Sequence, residues 1–202
     1  MKHILTLICV ILLSCFGTSC IKKLKEAAED IVEPTSTSES LSESNFSLID
    51  IDNDYQVLIP KYMKPMPNLN DEASLQYANI FKEIYTIVIN ENKQEFIETF
   101  KSLGEYNDSL PPIENYKNVQ KQMLDEAIAN VKFRDYGLTE INTYPARQFK
   151  MEGEIDGLDF FYLVGFIEGD ENIYMLMNWT LKDRKSRYEN IFEYINGSFK
   201  LL

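Results

Sequence analysis

The side chains able to do chemistry are unevenly placed along this 202-residue sequence. All three cysteines and the single histidine, His3, lie at or before Cys20. Beyond Cys20 there is no thiol and no imidazole, which excludes from the rest of the chain a Ser/His/Asp triad, a Cys/His pair, zinc sites built on His or Cys, His-ligated haem and a histidine base. Carboxylates, lysines, tyrosines and hydroxyls remain. Two carboxylate arrangements stand out. Asp50, Asp52 and Asp54 in "DIDNDY" fall where a calcium loop places its first three acids, but Tyr55 stands where that loop needs glycine and Lys61 where it needs its closing glutamate. A hairpin corner uses the same residues, because Asp and Asn tolerate turn conformations. Glu152, Glu154 and Asp156 alternate with Met151 and Ile155, so they share one strand face with Lys150. Such a row can supply an acid/base pair, as in glycosidases, yet it equally forms the wet face of an outer strand. No second acidic site faces it in the sequence. The expectation is a protein without catalytic residues, cofactor or metal.

The thiols have a different use. "MKHILTLICVI" opens with Lys2 and continues as an uncharged apolar run to Leu13. Ten such residues rise only about 15 Å as a helix, half the thickness of a bilayer core, which reads as a secretory signal and not a span. The stretch "LLSCFGTSC" that follows resembles the lipobox of bacterial lipoproteins, in which small residues precede a cysteine that is diacylated and becomes the new N-terminus. Cys20, after Gly17, Thr18 and Ser19, is the favoured site; Cys15, after Leu12, Leu13 and Ser14, is the alternative. Residues 1–19 are then a lipoprotein signal peptide, with membrane attachment through two or more acyl chains.

Residues 20–45 read as a lipid-anchored flexible tether: "IKKLKEAAEDIVEPTSTSESLSES" has charge, Pro34 and a Ser/Thr/Glu tract without apolar periodicity. Its 24 residues would span about 27 Å if fully flexible. Lys22, Lys23 and Lys25 sit where anionic lipids would attract them. With Lys2 removed, 19 basic residues face 32 acidic ones, a net of 19 − 32 = −13, which argues against nucleic acid as a partner. With no cysteine beyond Cys20, disulfides contribute nothing to stability.

Residues 46–202 suffice for one globular domain. "FSLIDI" and "YQVLIP" read as a hairpin, followed by strands in "SLQYANI" and "IYTIVINEN". Asn92 and Glu95 predict a capping box for a helix in "NKQEFIETFKSL", and Tyr116, Val119, Met123, Ala127 and Val131 lie on one helical stripe. Strands return in "FRDYGLTEINTY", "ARQFKMEGEI", "LDFFYLVGFIEG" and "IYMLMNWTL", with Asp156-Gly157 a strong hairpin signal. In "FFYLVGF" both alternating sets are apolar, as in a strand covered on both faces. Tyr188, Ile191, Phe192, Ile195 and Phe199 predict a final helix packed on the sheet.

This order of elements, with "YQVLIP", "TYPARQFKMEGEIDGLDFFYLVGF" and "NIYMLMNWTLKDRKSRYENIFEYINGSFK", resembles the PsbP-like superfamily, which includes photosystem II PsbP, a yeast Ran-binding protein of the Mog type, chaperones of type VI secretion effectors and many bacterial lipoproteins. The similarity covers about residues 46–202. It implies an α+β fold, an antiparallel sheet of six to seven strands with helices packed on both faces, and binding or assembly roles without shared catalytic residues. The lipid-anchor signal suits the bacterial lipoprotein branch, in the cell envelope, on the periplasmic face or the cell surface. The features that match are structural: the Pro145-Ala146 turn, the Gly157 hairpin, the aromatic strand and the helix ending at Ser198-Phe199.

One surface is a candidate for protein contact. "PKYMKPMPNLN", Pro60 to Asn70, is irregular through its prolines and carries Tyr62, Met63 and Met66, residue types that suit adaptable contacts. A loop covering a sheet edge would use them equally well. Asp108-Ser109-Leu110 resembles the three-residue O-glycosylation site of exported proteins in one bacterial phylum, which makes Ser109 a candidate modification site. Asn178 and Asn196 lie in N-glycosylation sequons that a bacterial lipoprotein would leave unmodified. Two functions are expected: a non-catalytic envelope lipoprotein that docks or assembles another envelope protein, or a small-molecule or lipid carrier with an apolar pocket between helix and sheet. A carrier requires a void among Phe160, Phe161 and Tyr162; a docking module has a packed interior there.

Overall fold

The computed structural model describes residues 41–202; Cys15, Cys20, the signal and nearly all of the tether lie outside them. A short 3-10 turn at Glu43–Asn45 leads into β1 (Phe46–Ile51), which pairs antiparallel with β2 (Tyr55–Pro60). Asp52 and Asn53 both adopt left-handed backbone at their corner, and the Asp50 carboxylate accepts from the Asn53 backbone N–H at 3.1 Å. The acids of "DIDNDY" therefore shape a turn. The chain continues as β3 (Lys64–Pro65), β4 (Ala73–Asn79), β5 (Ile84–Asn92), α1 (Lys93–Leu103), α2 (Pro112–Ala127), β6 (Ala129–Asp135), β7 (Glu140–Ile141), β8 (Tyr144–Ile155), β9 (Leu158–Glu168), β10 (Asn172–Leu181), α3 (Lys185–Gly197) and β11 (Lys200–Leu201).

The main sheet runs β3-β4-β5-β10-β9-β8-β6, all antiparallel, with β7 paired to β8. A separate three-stranded sheet runs β1-β2-β11. The fold is thus α+β with helices on both faces of an antiparallel sheet. Sequence patterning assigned "FSLIDI" and "YQVLIP" correctly as a hairpin; their place in a second small sheet follows from β11, two residues too short to signal itself.

Burial organises two cores on the two faces of the main sheet. On one, Phe160, Tyr162, Val164 and Phe166 of β9 meet Phe96 and Phe100 of α1 and Tyr116, Val119 and Met123 of α2. On the other, Phe161, Leu163 and Ile167 meet Tyr188, Ile191, Phe192 and Ile195 of α3, together with Tyr55, Val57 and Ile59 of β2. The central strand is apolar on both sets because both sets are covered. The Asp156-Gly157 turn has left-handed backbone at both residues, the geometry a two-residue hairpin demands.

A polar belt crosses the core beneath α3. Thr86 Oγ1 donates to Asn178 Oδ1 (2.8 Å), Asn178 Nδ2 to Asn196 Oδ1 (2.7 Å) and Asn196 Nδ2 to Gln148 Oε1 (3.0 Å). All four residues are buried. Room for Asn196 comes from Gly165: a Cβ there would sit 2.8 Å from Asn196 Nδ2. Both sequon asparagines are therefore core residues.

Asn92 caps α1, its side chain accepting from the Glu95 backbone N–H at 2.9 Å. The stripe on α2 stops at Ala127, and Val131 lies in β6, not on the helix. Ile128 turns extended and Asn130 adopts a left-handed conformation while its amide donates to Glu154 at 3.0 Å; pairing with β8 outweighs helical spacing. "FRDYGLTEINTY" divides into the tail of β6, an irregular stretch through Gly137, and a small hairpin turned by Asn142 and Thr143.

Candidate functional site

Among the described residues a shallow groove of about 480 Å³ lies where the outer face of the small sheet meets the C-terminal end of α3. Strand alternation puts Leu48 of β1 and Leu58 of β2 on this face, opposite each other in the antiparallel register. Leu48 is 58 % exposed and Leu58 is half-buried. Tyr194 of α3 supplies the third apolar surface; its ring packs 4.7 Å from Phe46. Gln56, Asn142, Ser198, Glu193 and Lys200 form the polar rim. Two of these are structural: Ser198 Oγ accepts from the Leu58 backbone N–H (2.9 Å), and Asn142 Nδ2 donates to the Gly197 and Phe199 carbonyls. Beside the groove, β1 is an edge strand whose outer backbone groups pair with no strand among the described residues.

Glu193 at the rim belongs to an ion-pair cluster. Lys150 Nζ lies 2.8 Å from Glu189 and 2.9 Å from Glu193. Burial opposes the lysine charge, but the two carboxylates outweigh it and raise its pKa. Burial likewise opposes the Glu193 charge, and Tyr136 and Lys150 outweigh it, holding Glu193 below its ordinary value. Glu152 is held low chiefly by the Lys185 hydrogen bond (3.0 Å), with Lys182 adding at 3.4 Å. Glu152 of the β8 row thus anchors the start of α3, while Glu154 accepts from Asn130 of β6. Through Glu152 and Glu154 the row ties neighbouring elements together.

A different carboxylate is perturbed the other way. Glu91 is raised by burial, with Glu72 adding and the Tyr116 hydroxyl opposing, and Gln120 Nε2 also donates to it at 3.3 Å. Perturbed acids mark functional sites often enough to examine, but Glu91 lies under α2 with its oxygen taken by Tyr116 and Gln120. Among the described residues no cluster of three or more His, Cys, Asp or Glu side chains is arranged for a metal.

The candidate contact loop behaves unevenly. Met63 is 2 % exposed and belongs to the α3-side core, so it offers no surface. Tyr62 and Met66 are half-buried, Tyr62 beneath the Lys82 ammonium (4.6 Å), with Asn79 Nδ2 donating to its carbonyl at 2.8 Å. Through β3 the loop closes the edge of the main sheet. Ser109 is exposed, its hydroxyl donating to Asn107. Sequence reasoning passed over Leu48, Leu58 and Tyr194, because a half-exposed leucine in an alternating strand looks like any other inward position. It also passed over Phe81, 88 % exposed in the β4–β5 turn.

Aromatic side chains pack where a carrier would need its void. Phe160, Phe161 and Tyr162 are buried; Phe161 stacks with Phe192 at 6.3 Å, and Tyr162 faces Trp179, which stacks on Tyr85 at 5.1 Å. Among the described residues no helix is long and apolar enough to cross a membrane.

No family model and no curated protein sequence matches the chain. Solved structures do. The chain is similar to cyanobacterial PsbP (CyanoP) from Synechocystis, with TM-score 0.51 and 13 % identity, covering 84 % of this chain and all of that one. A Pseudomonas aeruginosa protein of unknown function gives TM-score 0.45 at 13 % identity, over 74 % of this chain and 92 % of that one. LpqN of Mycobacterium tuberculosis, described as involved in cell envelope biogenesis, gives 0.43 at 9 % identity, over 81 % and 98 %. Of these three, the PsbP match bears on the fold: the chain is PsbP-like in architecture.

Proposed function

We propose that this PsbP-like chain is a non-catalytic envelope lipoprotein, attached through Cys20 or alternatively Cys15, that docks another envelope protein in the groove between the small sheet and α3. The observation that carries this reading over the carrier is the contrast between a filled interior at Phe160, Phe161 and Tyr162 and an open apolar surface at Leu48, Leu58 and Tyr194. The partner presents an extended segment, because the groove runs beside the edge of β1 that pairs with no strand among the described residues, where main-chain hydrogen bonds add to side-chain contacts. Its core is apolar and its rim polar, the layout of a modest interface. The expectation of no catalysis rests on the lack of any thiol or imidazole beyond Cys20.

Cross-linking in cells that express the anchored chain, followed by identification of captured proteins, tests this. A near-stoichiometric partner is expected, lost on Leu48→Glu with Tyr194→Ala and retained when Lys132, remote from the groove, is changed to Gln. Capture that survives the groove variant would overturn the site. Bound lipid or small ligand recovered in equimolar amount without a protein would restore the carrier.

A further inference from the structure

The β4–β5 turn projects Phe81 and Ile80, 88 % and 38 % exposed, the former the most exposed large apolar side chain among the described residues. Three segments surround it. From the stretch after β2 come Lys61 and, at the start of β3, Lys64, both exposed, the Lys64 ammonium donating to the Lys61 carbonyl. From the turn itself comes Lys82, its ammonium over the Tyr62 ring. From the corner between β10 and α3 comes Arg184, which reaches the Phe81 carbonyl at 3.4 Å and holds Glu83 at 2.9 Å. Glu83, Asp183, whose charge is felt at Glu83, and Glu43 of the entering segment are the acids nearby. Four cations against three acids is the reverse of the balance of the whole chain, 20 basic against 32 acidic.

The chain also enters the domain here. The Lys61 backbone N–H donates to the Asn45 carbonyl at 2.8 Å, so the segment arriving from residues 1–40 meets the first strand beside the same turn. Any lipid attached upstream tethers the domain at this end, within the reach of the intervening residues.

We propose that the Ile80-Phe81 tip and its ring of cations form a second, non-covalent contact with an anionic lipid surface, beside the point where the chain enters the domain. This rests on the lipid-anchor reading. An aromatic and a branched aliphatic at a hairpin tip suit insertion to headgroup depth, and basic residues around them are attracted to anionic headgroups. One acylated end supplies attachment; the tip supplies orientation.

The test uses the full chain as processed and extracted from cell membranes, carrying Phe81→Trp, reconstituted into phosphatidylglycerol-containing or pure phosphatidylcholine vesicles. Emission from the indole introduced at the tip is read as the difference from the parent, whose Trp179 is buried. In anionic vesicles the tip indole should shift to the blue and be quenched by brominated acyl chains, with about a fivefold loss of the inserted fraction for each cation removed, and the shift should vanish when Lys61→Glu and Lys64→Glu are added. Both lysines are exposed, so folding is preserved. A water-exposed tip indole on chain that floats with the vesicles overturns the proposal and assigns the tip to a protein contact. An equal shift in phosphatidylcholine overturns the anionic requirement. Chain that does not float defeats the anchor reading, and the tip is then judged by whether free anionic vesicles shift the same emission.

Discussion

Substituting alanine for Gly165 should be one of the most damaging single-methyl additions in this protein. The backbone at Gly165 is ordinary strand, so the effect is steric: the new Cβ would lie 2.8 Å from Asn196 Nδ2 and 3.2 Å from its Cγ. Asn196 cannot yield without leaving Gln148 or Asn178, both buried and both bonded to it. Overpacking costs about 1–3 kcal/mol, and a stranded buried polar group about 1–3 kcal/mol more. Relief of the glycine entropy returns about 0.5–1 kcal/mol. The net is a loss of about 1–5 kcal/mol. Urea unfolding followed by Trp179, the sole tryptophan and 4 % exposed, should show the midpoint falling by about 0.5–2.5 M for a slope near 2 kcal/mol per molar. In an Asn196→Ala background, where the space is open, the same methyl should cost almost nothing. A Gly165→Ala protein as stable as its parent, or an equal loss in both backgrounds, would refute the argument that Asn196 occupies the place of that side chain.

Glu91→Gln should stabilise the protein at neutral pH: burial raises the Glu91 pKa, so the folded state favours its neutral form, and stability is lost as pH rises through the unfolded and then the folded value. The gain in thermal midpoint should therefore shrink as pH is lowered, and a uniform gain would show that charge is not its cause. Glu114, Glu152 and Glu193 carry the opposite sign. Lys117 with Arg147, Lys185, and Tyr136 with Lys150 hold them below the ordinary 4.5, so their contribution is complete above that value and lost as pH falls through the folded values. Lys150→Met should then make acid unfolding begin at higher pH, readable by circular dichroism. Asn92→Ala removes the cap of α1 and should cost about 1 kcal/mol, whereas Phe81→Ser, at an exposed tip, should leave the urea midpoint within experimental scatter.

Much of this fold was legible because its main strands are covered on both faces or strictly alternate. β5 was read with its bounds intact, and the Asp156-Gly157 hairpin needed only two residues. Legibility failed where tertiary pairing overruled local pattern: Val131 continues the α2 stripe in number but belongs to β6, because Ala129 and Lys132 on either side of it pair with β8. Two-residue strands such as β3 and β11 have no period to detect. The groove was invisible for another reason. Leu48 and Leu58 stand opposite each other only through the β1–β2 register, and Tyr194 reaches them only because α3 crosses β2. Phe81 could have been found: a phenylalanine in a turn between two strands has no core to face.

The small sheet also bears on when the domain can finish folding. Its centre, β2, pairs on one side with β1, a neighbour in sequence, and on the other with β11, where Lys200 meets Gln56 across 200 − 56 = 144 residues. The first pairing is local and closes within microseconds as a hairpin. The second must await α3 and everything between, at a closure entropy of about 4 kcal/mol. In a chain that emerges from a channel N-terminus first, the hairpin therefore stands with Tyr55, Val57 and Ile59 uncovered until α3 arrives to bury them. That interval, more than the equilibrium stability of the finished domain, is when this chain is vulnerable to aggregation and proteolysis.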